Sequence, residues 1–195
     1  MSESYREIRK LIRADLHRYY GRCDFRVLAK ELLFGAGFKY TFWMRHLKYF
    51  QAKSFLFAPL ALFSRFMYRR YVFKFGFEIA HIAEIGPGLM IGHCGQVIVH
   101  PKVVIGRNCN ISQGVTIGVS NRGENAGVAT VGDDVYIGPG AKIIGKISIG
   151  NRVAIGANAV VTKDVPDDGV VVGIPAKLIS YKGSEGYINN TDYEE

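Results

Sequence analysis

Long apolar runs are missing from this chain. The wholly apolar stretch Phe55–Phe63 is nine residues long, whereas a helix needs ~20 to cross a bilayer. Cysteine is scarce. Cys23, Cys94 and Cys109 are odd in number and lack the paired spacing of a metal or redox motif, so no disulfide framework is expected. Met1–Lys10 lacks the pattern of a secretory leader, and with the free thiols this predicts a reducing, cytoplasmic setting. Acidic residues are few in the first part: residues 1–77 carry sixteen Lys/Arg and five Asp/Glu, against nine and twelve in 78–195. Aromatics almost vanish later, since twenty of the twenty-four lie at or before Phe77. The chain therefore divides into a basic, aromatic-rich region over 1–76 and a mildly acidic region after it. Its 195 residues suffice for one domain with a real core.

What the second region has is a period. Branched apolar residues stand at Val131, Ile137, Ile143, Ile149, Ile155 and Val161, six apart without a slip. Val135, Ala141, Ile147, Val153, Ala159 and Val165 follow each by four. The rhythm also runs through Ile79, Ile85 and Ile91, then Val99, Ile105, Ile111 and Ile117. No amphipathic helix keeps a period of six. Two inward residues flanking an outward one, as Ala141 and Ile143 flank Lys142, make a short strand. Three such sides close a coil of about eighteen residues, and coils stack ~4.8 Å apart. The reading is a mainly β chain: a parallel β-helix over 77–180, an α-helical region before it, and a tail over 181–195. Two extra residues between Ile91 and Val99, and a longer excursion between Ile117 and Val131, are where function is expected.

In the first region, Tyr5, Ile8, Leu11, Ile12, Leu16 and Tyr19 recur at helical spacing, and Ser4 with Glu7 reads as a capping box. Further helices are expected over Val27–Phe34, Lys39–Gln51 and Leu60–Phe75, broken by Gly35, Gly37 and Pro59. Two uses of this basic region stay open: packing on the β-helix or on neighbouring subunits, and peripheral contact with an anionic membrane. No recognition motif accompanies the charge, so no nucleic acid is expected.

His93 is the foremost candidate for chemistry. It lies on the corner after inward Ile91, beside the two-residue insertion. An imidazole titrates near neutral pH and can act as a base there. Glu78 precedes inward Ile79, so it points outward, about one coil from His93 and around the corner. A carboxylate there would fix the imidazole tautomer and steady its charged form. The alternative is that His93 caps a turn and Glu78 is a solvated charge. His81 and His100 are less well placed, the latter in a segment read as out of phase. No spacing matches the ligand pattern of β-helical carbonic anhydrases, so no metal is expected.

The strings Glu78-Ile79, Ile85-Gly86-x-Gly88, Gly92-His93-x-x-x-Val97-Ile98-Val99, Gln113-Gly114-Val115-Thr116-Ile117-Gly118 and Gly173-Ile174-Pro175-Ala176-Lys177 resemble the hexapeptide-repeat acyltransferases. The likeness is closest to the serine acetyltransferase group and its polysaccharide-modifying, colanic-acid-type relatives. It implies a left-handed β-helix, a homotrimer, and acetyl-CoA in clefts between subunits. It also implies His93 as general base, with Glu78 in place of an aspartate one methylene shorter. Cofactor contacts are implied at Gly138, Pro139, Ala157, Lys163 and Lys177, the lysines meeting phosphates. A corner N–H near Gly118 would meet the developing oxyanion.

The departures bear on the acceptor. Where serine acetyltransferases carry Asp-Arg-His-Pro, this chain has Ala126-Gly127-Val128-Ala129, with no charge. Its helical region is shorter, and it closes on Thr191-Asp192-Tyr193-Glu194-Glu195 rather than on their isoleucine tail. The expectation is acetyl-CoA-dependent O-acetylation of a sugar hydroxyl in capsule or exopolysaccharide synthesis, by direct transfer. Serine O-acetylation is the enzyme alternative, and a non-catalytic membrane-binding or assembly module is the alternative of another class.

Overall fold

The computed structural model describes residues 4–193. Met1–Glu3, within the stretch read for a leader, and Glu194–Glu195 of the expected tail lie outside the described residues. Four helices come first: α1 (Tyr5–Tyr20), α2 (Phe25–Leu33), α3 (Ala36–Gln51) and α4 (Ala58–Phe75), with a 3₁₀ turn at Phe55–Phe57. Ser4 and Glu7 form the capping box that starts α1, and Asp24 caps α2 by accepting from the amides of Arg26 and Val27. Two expected helix breaks are corrected. Gly37 lies inside α3, and Pro59 sits in the first turn of α4, where proline is tolerated. Gly37 serves approach instead of interruption: a Cβ there would lie 2.1 Å from the Ile91 carbonyl oxygen and 2.5 Å from the Tyr19 hydroxyl.

The repeats form fifteen short strands. They are β1 (Phe77–Ile79), β2 (Glu84–Ile85), β3 (Met90–Ile91), β4 (Val97–Val99), β5 (Val104–Ile105), β6 (Asn110–Ile111), β7 (Thr116–Gly118) and β8 (Thr130–Val131). Then come β9 (Tyr136–Ile137), β10 (Lys142–Ile144), β11 (Ser148–Ile149), β12 (Ala154–Ile155), β13 (Val160–Val161), β14 (Val170–Val172) and β15 (Lys177–Ser180). Pairing links every third strand through the regular coils, giving three faces: β1-β4-β7-β10-β13, β2-β5-β8-β11, and β3-β6-β9-β12-β14-β15. All pairs are parallel except β14 with β15. This is a parallel β-helix, consistent with the left-handed winding that the family resemblance implies. The inward residues predicted from the period, Ile79 through Val161, are buried in one continuous core, with Cys109 among them. His100, read as out of phase, sits at a regular corner: its amide bonds Ile117 O at 2.9 Å as the period requires.

The helices close the open end of the solenoid. The first coil has no coil beneath it, so its backbone groups need partners from elsewhere. Tyr40 Oη donates to Ile79 O (2.7 Å) and accepts from Ile79 N (3.0 Å). Arg45 donates to Ile85 O (2.6 Å) and Gly86 O (2.7 Å). Asp15 accepts from the amides of Gly88 (3.0 Å) and Leu89 (2.9 Å), and Tyr19 Oη serves both Ile91 N and Ile91 O. Each of the three bottom strands or its adjoining corner is thus satisfied by side chains from α1 and α3. Asp15 and Arg45 also pair with each other at 3.1 Å while buried. Burial drives the Asp15 carboxyl up from its ordinary value, and Arg45 with the two amides offsets part of that shift.

Residues 181–193 run back along one edge of the prism. Gly183 N donates to Asp168 O, Ser184 Oγ to Asp134 O (2.6 Å), and Tyr193 Oη to Asn108 Oδ1 (2.6 Å), so the segment descends coil by coil. Tyr187 stacks on Tyr136 with ring centroids 4.4 Å apart. At the bottom Arg18 donates to Asn189 O, Gly88 O and Asn110 Oδ1, and His17 pairs with Asp192 at 2.9 Å.

Candidate active site

After each strand of the third face the chain turns a corner, and these corners stack into one edge. Gly92 N bonds Ile111 O, Ser112 N bonds Ile137 O, Gly138 N bonds Ile155 O, and Gly156 N bonds Val171 O. A second line of bonds runs beside the first: Gly114 N to Gln96 O, Gly140 N to Gln113 O, and Asn158 N to Pro139 O. His93, Gly138, Pro139 and Ala157 therefore share an edge, His93 on the lowest coil. His93 and Cys94 are exposed there. The two-residue insertion makes this lowest corner wider, and Gly95 N anchors it to Phe75 O at the end of α4 (3.2 Å). Gly95 adopts φ +146°, and a Cβ on it would meet Gln113 Cβ at 2.8 Å, so glycine is needed for the widened corner to lie on the coil above.

Glu78 is the outward residue of β1, and its backbone partner is Ile98 of β4, the strand that leaves the His93 corner. The two side chains lie around the same edge, but among the described residues no hydrogen bond or ion pair joins them. Both are exposed, so nothing in the chain alone holds them together. Glu78's charge is felt on the helix side: burial, and to a smaller degree Glu78, raises the Tyr68 hydroxyl above its ordinary value. Lys163 follows β13 at the other edge of the first face, away from His93, whereas Lys177 opens β15 opposite Val172, which lies over Gly156, and so stands at the top of the His93 edge; both are exposed. Gly118 ends β7, paired with Ile144.

Gln113 was legible only as part of a family string, and no spacing argument singled it out. It sits one coil above His93 and Cys94, and its Oε1 is buried with no hydrogen-bond partner, alone in this among the described side-chain atoms. A buried amide oxygen without a donor is costly. An orphan acceptor on this edge fits a ligand carrying amide N–H groups, as the pantetheine arm of coenzyme A does. The other histidines are committed elsewhere. His81 Nε2 meets Gln51 Oε1 at 2.7 Å, and burial with nearby Arg65 and Lys48 lowers its pKa. His100 Nδ1 accepts from Lys102 N. Among the described residues no group of three or more His, Cys, Asp or Glu is placed to hold a metal.

The excursion between β7 and β8 folds back on the first face. Ser120 and Gly127 exchange backbone hydrogen bonds, Lys146 N donates to Asn125 O (2.8 Å), and Asn125 Nδ2 reaches Thr162 O (3.3 Å). Ala126–Ala129 thus occupies the ordered root of this loop, with Ala129 buried.

Comparison with known proteins agrees with this architecture. The family described as bacterial transferase hexapeptide (six repeats) matches residues 129–163. The serine acetyltransferase of Synechococcus elongatus is 41% identical over 108 residues, which is 55% of this chain and 44% of that protein. A crystal structure of the Neisseria gonorrhoeae serine acetyltransferase in complex with serine superposes with a TM-score of 0.71 at 32% identity, covering 90% of this chain and 70% of that one. The chain belongs to the hexapeptide transferase family. A serine acetyltransferase in complex with CoA is also similar, with a TM-score of 0.72 and 29% identity over 89% of this chain and 70% of that one. The chain spans about half the length of the curated relatives it matches. The polysaccharide-modifying relatives expected from the sequence are not what these matches favour; the homologues are serine acetyltransferases.

Proposed function

We propose that this hexapeptide transferase is an acetyl-CoA-dependent O-acetyltransferase, with serine the acceptor favoured by its homologues. The observation that carries the reading is the likeness to serine acetyltransferase over nine-tenths of the chain, together with an exposed His93 on the Gly138–Ala157 edge. Acetyl-CoA supplies an activated thioester carbonyl. His93 takes the proton of the acceptor hydroxyl as its oxygen bonds to that carbonyl. The imidazolium then returns the proton to the departing thiolate, which leaves the ring neutral for the next cycle. Glu78 is a positioning residue that holds the tautomer once substrate closes the edge. Gly138, Pro139 and Ala157 offer a smooth wall along that edge, Gln113 an acceptor, and Lys163 and Lys177 charge for phosphates, here completed by a neighbouring copy in a homotrimer.

A second acceptor, a sugar hydroxyl of a glycan precursor, is supported by one observation. Ala126-Gly127-Val128-Ala129 offers no charge to a zwitterion's carboxylate. In that reading, a peripheral contact of the basic N-terminal region with an anionic membrane surface brings a lipid-linked acceptor within reach. Incubation with acetyl-CoA and either L-serine or a panel of nucleotide sugars, with free thiol as readout, separates the two. His93→Ala should lower turnover about 10²–10⁴-fold, and Glu78→Gln should shift the pH profile of the rate. Wild-type turnover by His93→Ala would remove the mechanism, and thiol release with no acceptor tested would remove both acceptors.

A further inference from the structure

We infer that the Phe55–Phe57 turn and the outer face of α4 form the surface through which this protein lies on an anionic membrane. The inference rests on the membrane contact proposed above with the glycan-precursor acceptor, while its test reads lipid binding alone, whichever hydroxyl is acetylated. Helix α4 has no separate polar face: large apolar side chains stand on its outer as well as its inner side, with four cations among them. Only one side is covered here. Ser64 and Tyr71 are buried, Tyr68 Oη donates to Ile79 O (2.8 Å), and Trp43 packs on Phe63. On the other side Leu62, Phe66, Arg69 and Phe73, spaced four, three and four apart, make one ridge. Leu62 is 69%, Phe66 61% and Phe73 79% exposed, and Phe55 at the adjoining turn reaches 84%. Large apolar side chains clustered in this way mark a surface that something covers.

Charge identifies the cover. Residues 32–77 hold eight Lys/Arg and no Asp or Glu. Arg69 stands within the ridge and Arg65, Arg70 and Lys74 flank it; all four are exposed and have no carboxylate within ion-pair distance among the described residues. A second copy docking ridge to ridge would set like charges face to face with nothing to neutralise them. Anionic headgroups supply the missing counter-charge, and the acyl boundary below them receives the phenylalanines. No described helix is long and apolar enough to cross a membrane, so the contact is one of lying on the surface. The ridge starts from the same α4 C-terminus whose Phe75 O anchors the His93 corner, so a headgroup-linked acceptor is delivered close to that edge.

The test is flotation of the full chain with vesicles of phosphatidylglycerol and phosphatidylcholine, or of phosphatidylcholine alone, with oligomeric mass measured in parallel. The expected result is flotation with the anionic vesicles only, abolished by Phe66→Glu with Phe73→Glu at unchanged mass. Arg69→Gln with Arg70→Gln alters only exposed side chains and keeps the fold; it should weaken binding about fivefold per arginine removed. If the wild type floats and all these variants float equally, the α4 assignment falls while a membrane contact elsewhere survives. If the wild type does not float, both fall. If Phe66→Glu with Phe73→Glu changes the oligomeric mass, the ridge is an interface between copies and the inference is overturned.

Discussion

Asp15 shows how much rests on single side chains at the junction of helix and solenoid. It is fully buried and receives Arg45 and two amides, while Arg45 also serves two carbonyls of the first coil. Removing one member of such a pair strands the other's charge. Asp15→Ala should therefore cost about 3–5 kcal/mol, read as a lower urea midpoint; an unchanged midpoint would show that the pair is dispensable. The thiols give a second prediction at this scale. Burial pushes the Cys109 thiol up to about 12, and Cys94 is exposed beside His93. Iodoacetamide at mildly alkaline pH should label Cys94 quickly and spare Cys109 until the chain unfolds. Coenzyme A should slow the Cys94 reaction if it occupies this edge, and equal labelling with and without it would count against the site. His93 was legible because it breaks a run of apolar and glycine residues at a known corner. Gln113 was not, because its peculiarity is a missing partner, which only coordinates reveal.

At the scale of elements, the strands were legible because each inward position must be branched and apolar to fill its rung, and the count of six leaves no freedom. The helices were legible in kind. Gly37 misled because glycine for close packing and glycine for interruption look alike in sequence. The C-terminal segment carried no signal at all: it docks through backbone groups and the side chains of Ser184, Tyr187, Asp192 and Tyr193, none of them periodic. Its acid response follows from its partners. Asp168, which bonds Arg152, and Asp192, which bonds His17, are both held below the usual carboxylate value. A depressed carboxylate stabilises the fold above its unfolded pKa of about 3.9 and gives that up as pH falls through the lowered folded value. Amide exchange at Gly183 and Ser184 should accordingly speed up, relative to the core, only below about pH 4. Protection that persists to lower pH would mean the stacked rings alone hold the segment.

Over the whole molecule, the charge divide seen in composition follows the architecture: the cations belong to the helical end and the mild acidity to the solenoid. Apolar Ile174, Leu178 and Ile179 stand exposed at the last coil, beside the face that carries the proposed edge, and this supports assembly. Sedimentation equilibrium should return a mass three times the chain's 21.7 kDa; a monomer that nonetheless turns over would show that one copy completes its own site.

Capping of the first coil by Asp15, Tyr19, Tyr40 and Arg45 has an outcome for any shortened form. A fragment starting at Phe77 would expose a bare row of amides and carbonyls around the whole base of the prism. Nothing distinguishes that base from the underside of a further rung, so other extended peptides could add to it, and such fragments should grow end to end into fibres where the intact chain stays discrete.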